Sequence, residues 1–314
     1  MTHAGRPAAG ANHLPLQGRH RHYTFLISLC FVLLEVYLHF YGGGAARAPR
    51  TRSAMTPSMR QQAPEAAPSP PPRGIPDEGT LWSPCTQNSD YINTLIKNLW
   101  DRSQGGDDIA SQCCLCMDCS GGDNANNPTC NSQFGQDLFL FRNFFRCLPG
   151  PGAYVDVGTH HPKTLSNTYF FDVCLGWKEG VCVEASAYYA DLIRGSRNCK
   201  VMQTAVGTKE GFLQLKNAGA RSEVVRSEAP ESGGDTQWVR SSTLSTIFRE
   251  ANLTIGDGVT GECVIIDFLS IDVEGNELEA LLGLPWDSIW ARIIMVENVK
   301  ASQDVFEFLV DKGE

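Results

Sequence analysis

From residue 132 onward, short runs rich in valine, isoleucine and aromatic residues alternate with segments whose apolar residues recur at helical spacing. The runs "AYVDVG", "GVCVEA", "CKVMQTAVG", "VIIDFLSID" and "RIIMVEN" read as five buried strands, with "GFLQLK" a sixth, accessory one. Between them "QFGQDLFLFRNFF", "TLSNTYFFDVCLG", "AYYADLIRGSR", "SSTLSTIFREAN", "NELEALLGL" and "DVFEFLVDKG" read as helices. Residues 218–237 are polar and glycine-containing, and read as a long loop or lid. Such alternation predicts an α/β fold in which right-handed crossovers build a mostly parallel sheet covered on both faces. Ligands of these sheets bind at the carboxyl ends of the strands.

Four acids fall at those ends: Asp156, Glu184, Asp272 and Glu297. Gly158 permits a tight turn after the first strand. A fuller glycine-rich fingerprint is absent, because Thr159, His160, His161 and Pro162 follow, which argues against a standard dinucleotide fold. Glu184 stands 26 residues after Gly158. An acid there can accept two hydrogen bonds from a ribose diol. It can equally be an exposed acid that favours a helix N-terminus.

The segments "SQFGQDLFL", "YVDVGT", "LSNTYFFDVCLGWKEGVCVEAS", "STLSTIF" and "IDFLSIDVEGNELEALLG" together resemble the FkbM-type, S-adenosylmethionine-dependent methyltransferases. The resemblance covers residues 132–298 and extends to a membrane-anchored, Star-like branch that includes non-catalytic interaction proteins. It implies a class I, Rossmann-like methyltransferase fold with S-adenosyl-L-methionine as cofactor. It further implies that Asp156 and Gly158 face the methionine part of the cofactor, that Glu184 faces the ribose, and that Asp272 and Glu274 border the methyl-transfer site. The glycine that usually follows the first turn is replaced here by His160-His161-Pro162. The antiparallel hairpin that normally completes the fold is also missing before Glu314. Either the domain is C-terminally incomplete, which is the favoured reading, or its fifth strand is left as a bare edge.

Methyl transfer to a hydroxyl needs the acceptor oxygen in line with the methyl carbon and a base for its proton. Asp272, at a strand tip, is the candidate base, and His160 or His161 a rival. Glu274 is expected to serve the free amides of the helix that begins at Asn276. The acid pair Asp272–Glu274 also suits a divalent ion, as in a metal-dependent Golgi glycosyltransferase. That reading stands second, and no metal is expected in the site.

Residues 1–131 carry no such alternation. Residues 23–41, "YTFLISLCFVLLEVYLHFY", are long enough for one transmembrane helix. They are expected to act as an uncleaved signal anchor after a cytoplasmic tail (1–22). A proline-rich stem (42–88) and a cysteine-rich helical and loop segment (89–131) precede the methyltransferase-like domain (132–314). The twelve cysteines favour an oxidising compartment, hence a type II protein with its domain in the Golgi or endoplasmic reticulum lumen. Within the cluster, Cys113, Cys116 and Cys119 allow zinc but favour disulfides, while Cys174, Cys182 and Cys263 read as buried thiols. Asn252-Leu253-Thr254 is a glycosylation sequon. The net charge of −9 and the lack of a basic run exclude nucleic acid as a partner. The expected partners are thus the membrane and a small-molecule or glycan acceptor.

Overall fold

The structure, a computed structural model, describes residues 24–28, 85–117, 130–216, 223–224, 236–256, 262–297 and 303–313. Six parallel strands form the central sheet: β1 (Thr24–Ser28), β2 (Ala153–Val157), β3 (Glu179–Glu184), β4 (Lys200–Gln203), β10 (Glu262–Ile271) and β11 (Ile289–Glu297). Their order is β1-β11-β10-β2-β3-β4, and β9 (Thr254–Gly256) adds an antiparallel seventh on β10. A second, mostly antiparallel sheet has the order β5-β8-β6-β7. Its strands are β5 (Ala205–Val206), β6 (Gly211–Lys216), β7 (Glu223–Val224) and β8 (Thr236–Ser242). The third predicted strand is thus two: after Gln203 the chain leaves the parallel sheet, and Ala205 pairs with Ser241. The expected loop at 218–237 is interrupted by β7 and ends at Thr236; its other residues lie outside those described.

The two faces of the central sheet differ. On one, Tyr154, Cys182, Phe268 and Ile293 pack against Phe145, Phe170, Phe171 and Trp177, all nearly solvent-free. Phe145 meets Phe171 and Trp177 edge-on at 5.3 and 5.2 Å between ring centroids. Burying each such ring contributes roughly 1.5–3 kcal/mol. Onto this face docks a helical hairpin, α1 (Asp90–Gln104) and α2 (Asp108–Met117). Ser89 starts α1, its Oγ accepting the Ile92 amide at 3.2 Å. The other face buries Val155, Val183, Ile271 and Val296 beneath α5 (Leu244–Ala251), α6 (Glu277–Leu282) and α7 (Gln303–Gly313).

Two predicted helices are shorter than expected. "QFGQDLFLFRNFF" gives α3 (Gln136–Leu140), which widens into a π-helical turn at Phe141–Phe145. "TLSNTYFFDVCLG" gives a π-helical turn at Phe170–Cys174, ahead of which Ser166 Oγ accepts the Tyr169 amide at 3.0 Å while Asn167 and Thr168 reach Ser270 and Asp156. The remaining helix on the sheet, α4 (Ala187–Ser196), follows β3 as predicted.

The N-terminal expectations change. Thr24–Ser28 is a strand, parallel to β11 from Thr24↔Ile293 to Ser28↔Glu297, so these five residues do not open a membrane helix. A buried strand such as β11 presents a row of amides and carbonyls that require a partner, and a short β-branched and aromatic run can supply one. The bare edge weighed as the second alternative is therefore paired. Residues 23 and 29–41, and the stem up to residue 84, lie outside those described. No helix among the described residues is long and apolar enough to cross a membrane.

Cysteines expected as thiols are bridged. Disulfides join Cys85–Cys147, Cys113–Cys174, Cys116–Cys130 and Cys182–Cys199, and Cys114 is also disulfide-bonded. The zinc reading fails at Cys113 and Cys116 for that reason, as does the thiol reading at Cys174 and Cys182. The first two bridges tie the segment around the helical hairpin to the sheet domain across 62 and 61 residues of chain.

Candidate active site

The carboxyl ends of β2, β3 and β10 are laced together. The amides of Gly158 and Thr159 donate to the Val183 carbonyl at 2.9 and 3.1 Å, and the Asp272 amide donates to the Val157 carbonyl at 2.9 Å. Gly158 has φ +83°, and a Cβ there would lie 1.7 Å from the Asp272 carbonyl oxygen. Only glycine fits this turn.

A cleft open to solvent lies over these ends. Gly158, His160, Glu184, Tyr189, Asp272, Glu274 and Asn276 line it, and Leu215 of the second sheet closes one side.

Glu184 terminates β3 on the cleft wall. Its Oε1 accepts the Ser186 amide at 2.7 Å and its Oε2 the His160 amide at 2.8 Å. Burial pushes its pKa up, and the two amides pull the other way. Each oxygen keeps a lone pair for a further donor.

Asp156, expected to face a cofactor, sits beneath the cleft. It is 3% exposed, and its Oδ2 accepts the Thr168 hydroxyl at 2.5 Å. Arg197, fully buried, pairs with Asp172 at 2.5 Å and donates to Thr168 Oγ1, Tyr154 Oη, Ser166 Oγ and the Pro162 carbonyl. This network fixes the 160–168 loop against the sheet. Burial raises the Asp156 pKa while Arg197 opposes it.

Asp272 lies half-buried, with Glu274 and Glu297 close by; one oxygen from each of the three lies within 4.8 Å of the others. Burial pushes Asp272 up to about 9, helped by a hydrogen bond with Glu297 and the charges of Glu297, Glu274 and Asp156. At neutral pH Asp272 therefore holds a proton, and the base expected here is masked until a positive charge enters the cleft. The three oxygens are of the kind that hard cations accept, although clustered acids alone do not define a metal site.

Glu274, expected at the helix start, shares that position with Glu277. Glu274 takes the left-handed conformation, φ +55°, on the cleft wall. The Glu277 Oε1 accepts the amides of Gly275 at 2.8 Å and Val273 at 3.3 Å. His160 lines the cleft. His161 is turned into its own loop, where Nδ1 accepts the amides of Lys163 and Thr164. Glu297 ends β11 behind Asp272, outside the cleft lining. Asn252 is exposed and caps the C-terminus of α5 at φ 58°, a position that favours asparagine without any glycan.

Residues not anticipated also contribute. Asn276 donates to the Val206 carbonyl at 2.8 Å, holding the second sheet to the start of α6. Tyr189 stacks on His160 with 4.1 Å between ring centroids. "YYA" after "VEAS" carried that signal, since aromatics one turn into a helix that follows a candidate ribose acid face the same crevice.

A parallel sheet with its cleft at the strand ends, and an acid closing the second strand, is the arrangement of a Rossmann-like methyltransferase. The chain belongs to the FkbM methyltransferase domain family, whose description matches residues 156–312, half of its length. No curated protein and no solved structure gives a significant match. The family supports methyltransferase chemistry over the metal-dependent glycosyltransferase reading.

Proposed function

We propose that the protein transfers a methyl group from S-adenosylmethionine to a hydroxyl of its acceptor. The observation that carries this reading is Glu184, a carboxylate oriented by two amides on the cleft wall with lone pairs left for a ribose diol. The donor set fits the cofactor in charge as well: Asp272 and Glu274 line the cleft, with Glu297 behind Asp272, and the ligand carries a sulfonium and an ammonium. When bound, the cofactor supplies a methyl group on positively charged sulfur. The same charge favours the ionised form of Asp272. Asp272 then accepts the proton of the acceptor hydroxyl as its oxygen attacks. Gly158 keeps the turn close, and the Arg197 network holds the loop behind it.

The disulfides support an oxidising setting, so we place the enzyme in a secretory lumen, where glycans are the most abundant hydroxyl acceptors. This placement does not depend on an anchor, since a membrane span from residue 23 and the pairing of Thr24–Ser28 with β11 exclude one another.

Calorimetric titration of the protein with S-adenosylhomocysteine tests the reading. Binding at a single site, weakened by Glu184→Gln, is expected. No binding by the folded protein would leave a methyltransferase fold kept for interaction, as in the non-catalytic branch.

A further inference from the structure

His160 stands two residues after Gly158, and the chain bears two costs to keep it there. Its φ is +54°, a conformation that glycine adopts freely and side-chain-bearing residues resist. Its Nε2 is shut off from solvent and has no hydrogen-bond partner among the described residues. Buried polar atoms are normally paired, and an exception calls for a reason. The neighbouring His161 differs, because its Nδ1 is engaged in shaping the turn.

Placement supplies the reason. The His160 ring lies on the cleft wall, stacked on Tyr189 of α4. Its backbone amide is bound to the same carboxylate, Glu184, that faces the cleft. Burial lowers the pKa of the ring, with His161 adding to the effect, so the imidazole is neutral at physiological pH and can act as either donor or acceptor.

We infer that His160, braced by Tyr189, binds the nucleoside half of the methyl donor, with its unpaired imidazole nitrogen completing a hydrogen bond to the ligand beside Glu184. This rests on the reading of the cleft as a methyl-donor site.

The test compares the wild-type protein with His160→Gly and His160→Phe, using S-adenosylhomocysteine and adenosine as probes in calorimetry and thermal denaturation for the fold. Glycine removes both costs, so the melting temperature of His160→Gly is held. Affinity for both probes falls by about threefold to tenfold, the range of one lost neutral hydrogen bond. His160→Phe keeps a ring against Tyr189 but lacks the nitrogen, and weakens both probes similarly. Unchanged affinity in both variants overturns the inference while leaving the cofactor reading intact. A lower melting temperature in His160→Gly with affinity retained makes His160 a packing residue, and also overturns it. Failure of the wild-type protein to bind either probe overturns the cofactor reading and this inference together.

Discussion

Glu184 and Asp272 are both acids at strand ends, yet their surroundings give them opposite tasks. Glu184 is held by two amides that favour its charge. Glu184→Ala should weaken S-adenosylhomocysteine by roughly 1.5–3 kcal/mol and also lower the melting temperature, because two amides lose their acceptor. Glu184→Gln keeps one acceptor oxygen, so it should spare stability more than binding; titration and thermal denaturation of both variants separate the effects. Asp272 is crowded by acids and kept protonated. Its folded pKa, about 9, lies above the ordinary value of 3.8. Between these values the native state binds more protons than the unfolded chain. This contribution to stability is full below about pH 3.8 and is lost progressively as pH rises toward 9. Melting temperatures measured from pH 4 to 9 should therefore fall less steeply for Asp272→Asn than for the wild-type protein. A steeper or equal slope in the variant would show that Asp272 is not the titrating group.

At the scale of elements, the turn after β2 tolerates least. Gly158→Ala places a methyl group on the Asp272 carbonyl oxygen and forces φ +83° on alanine. The expected loss is on the order of several kcal/mol, read as an unfolded or strongly destabilised product in denaturant titration. Much of this element was legible in advance. "AYVDVG" and "GVCVEA" are apolar runs closed by an acid or a glycine, and in a parallel sheet that pattern leaves few alternatives. The helix of "NELEALLG" was legible as well, but not which acid feeds its amides. Glu274 and Glu277 are both placed to do so in sequence, and the structure shows Glu277 accepting the Gly275 amide while Glu274 takes a left-handed backbone. The second sheet escaped because "CKVMQTAVG" reads as one strand, and nothing local marks the exit at Thr204. Thr24–Ser28 was read by hydropathy alone, which cannot distinguish a buried edge strand from the start of a membrane span. Asp156 lay at the right strand end, while its burial depended on Thr168 and Arg197, remote in sequence.

Across the whole molecule, the disulfides decide where the fold can persist. Cys85–Cys147 and Cys113–Cys174 close loops of about sixty residues between the helical hairpin and the sheet domain. Each should contribute about 4 kcal/mol by restricting the unfolded chain. Paired replacement of Cys113 and Cys174 by serine should lower the denaturation midpoint accordingly, and peptide mapping without reduction should recover both pairs. The same hairpin supports the aromatic face beneath Asp156, so its loss should weaken ligand binding as well as stability. All of this serves one claim: the cleft between Gly158 and Glu184 holds the methyl donor. The most direct measurement is a crystal structure of the protein grown with S-adenosylhomocysteine. The account predicts the ligand over the ends of β2 and β3, with its ribose hydroxyls on Glu184 and its sulfur toward Asp272. A ligand bound elsewhere, or a cleft that stays empty at saturating ligand, would contradict it.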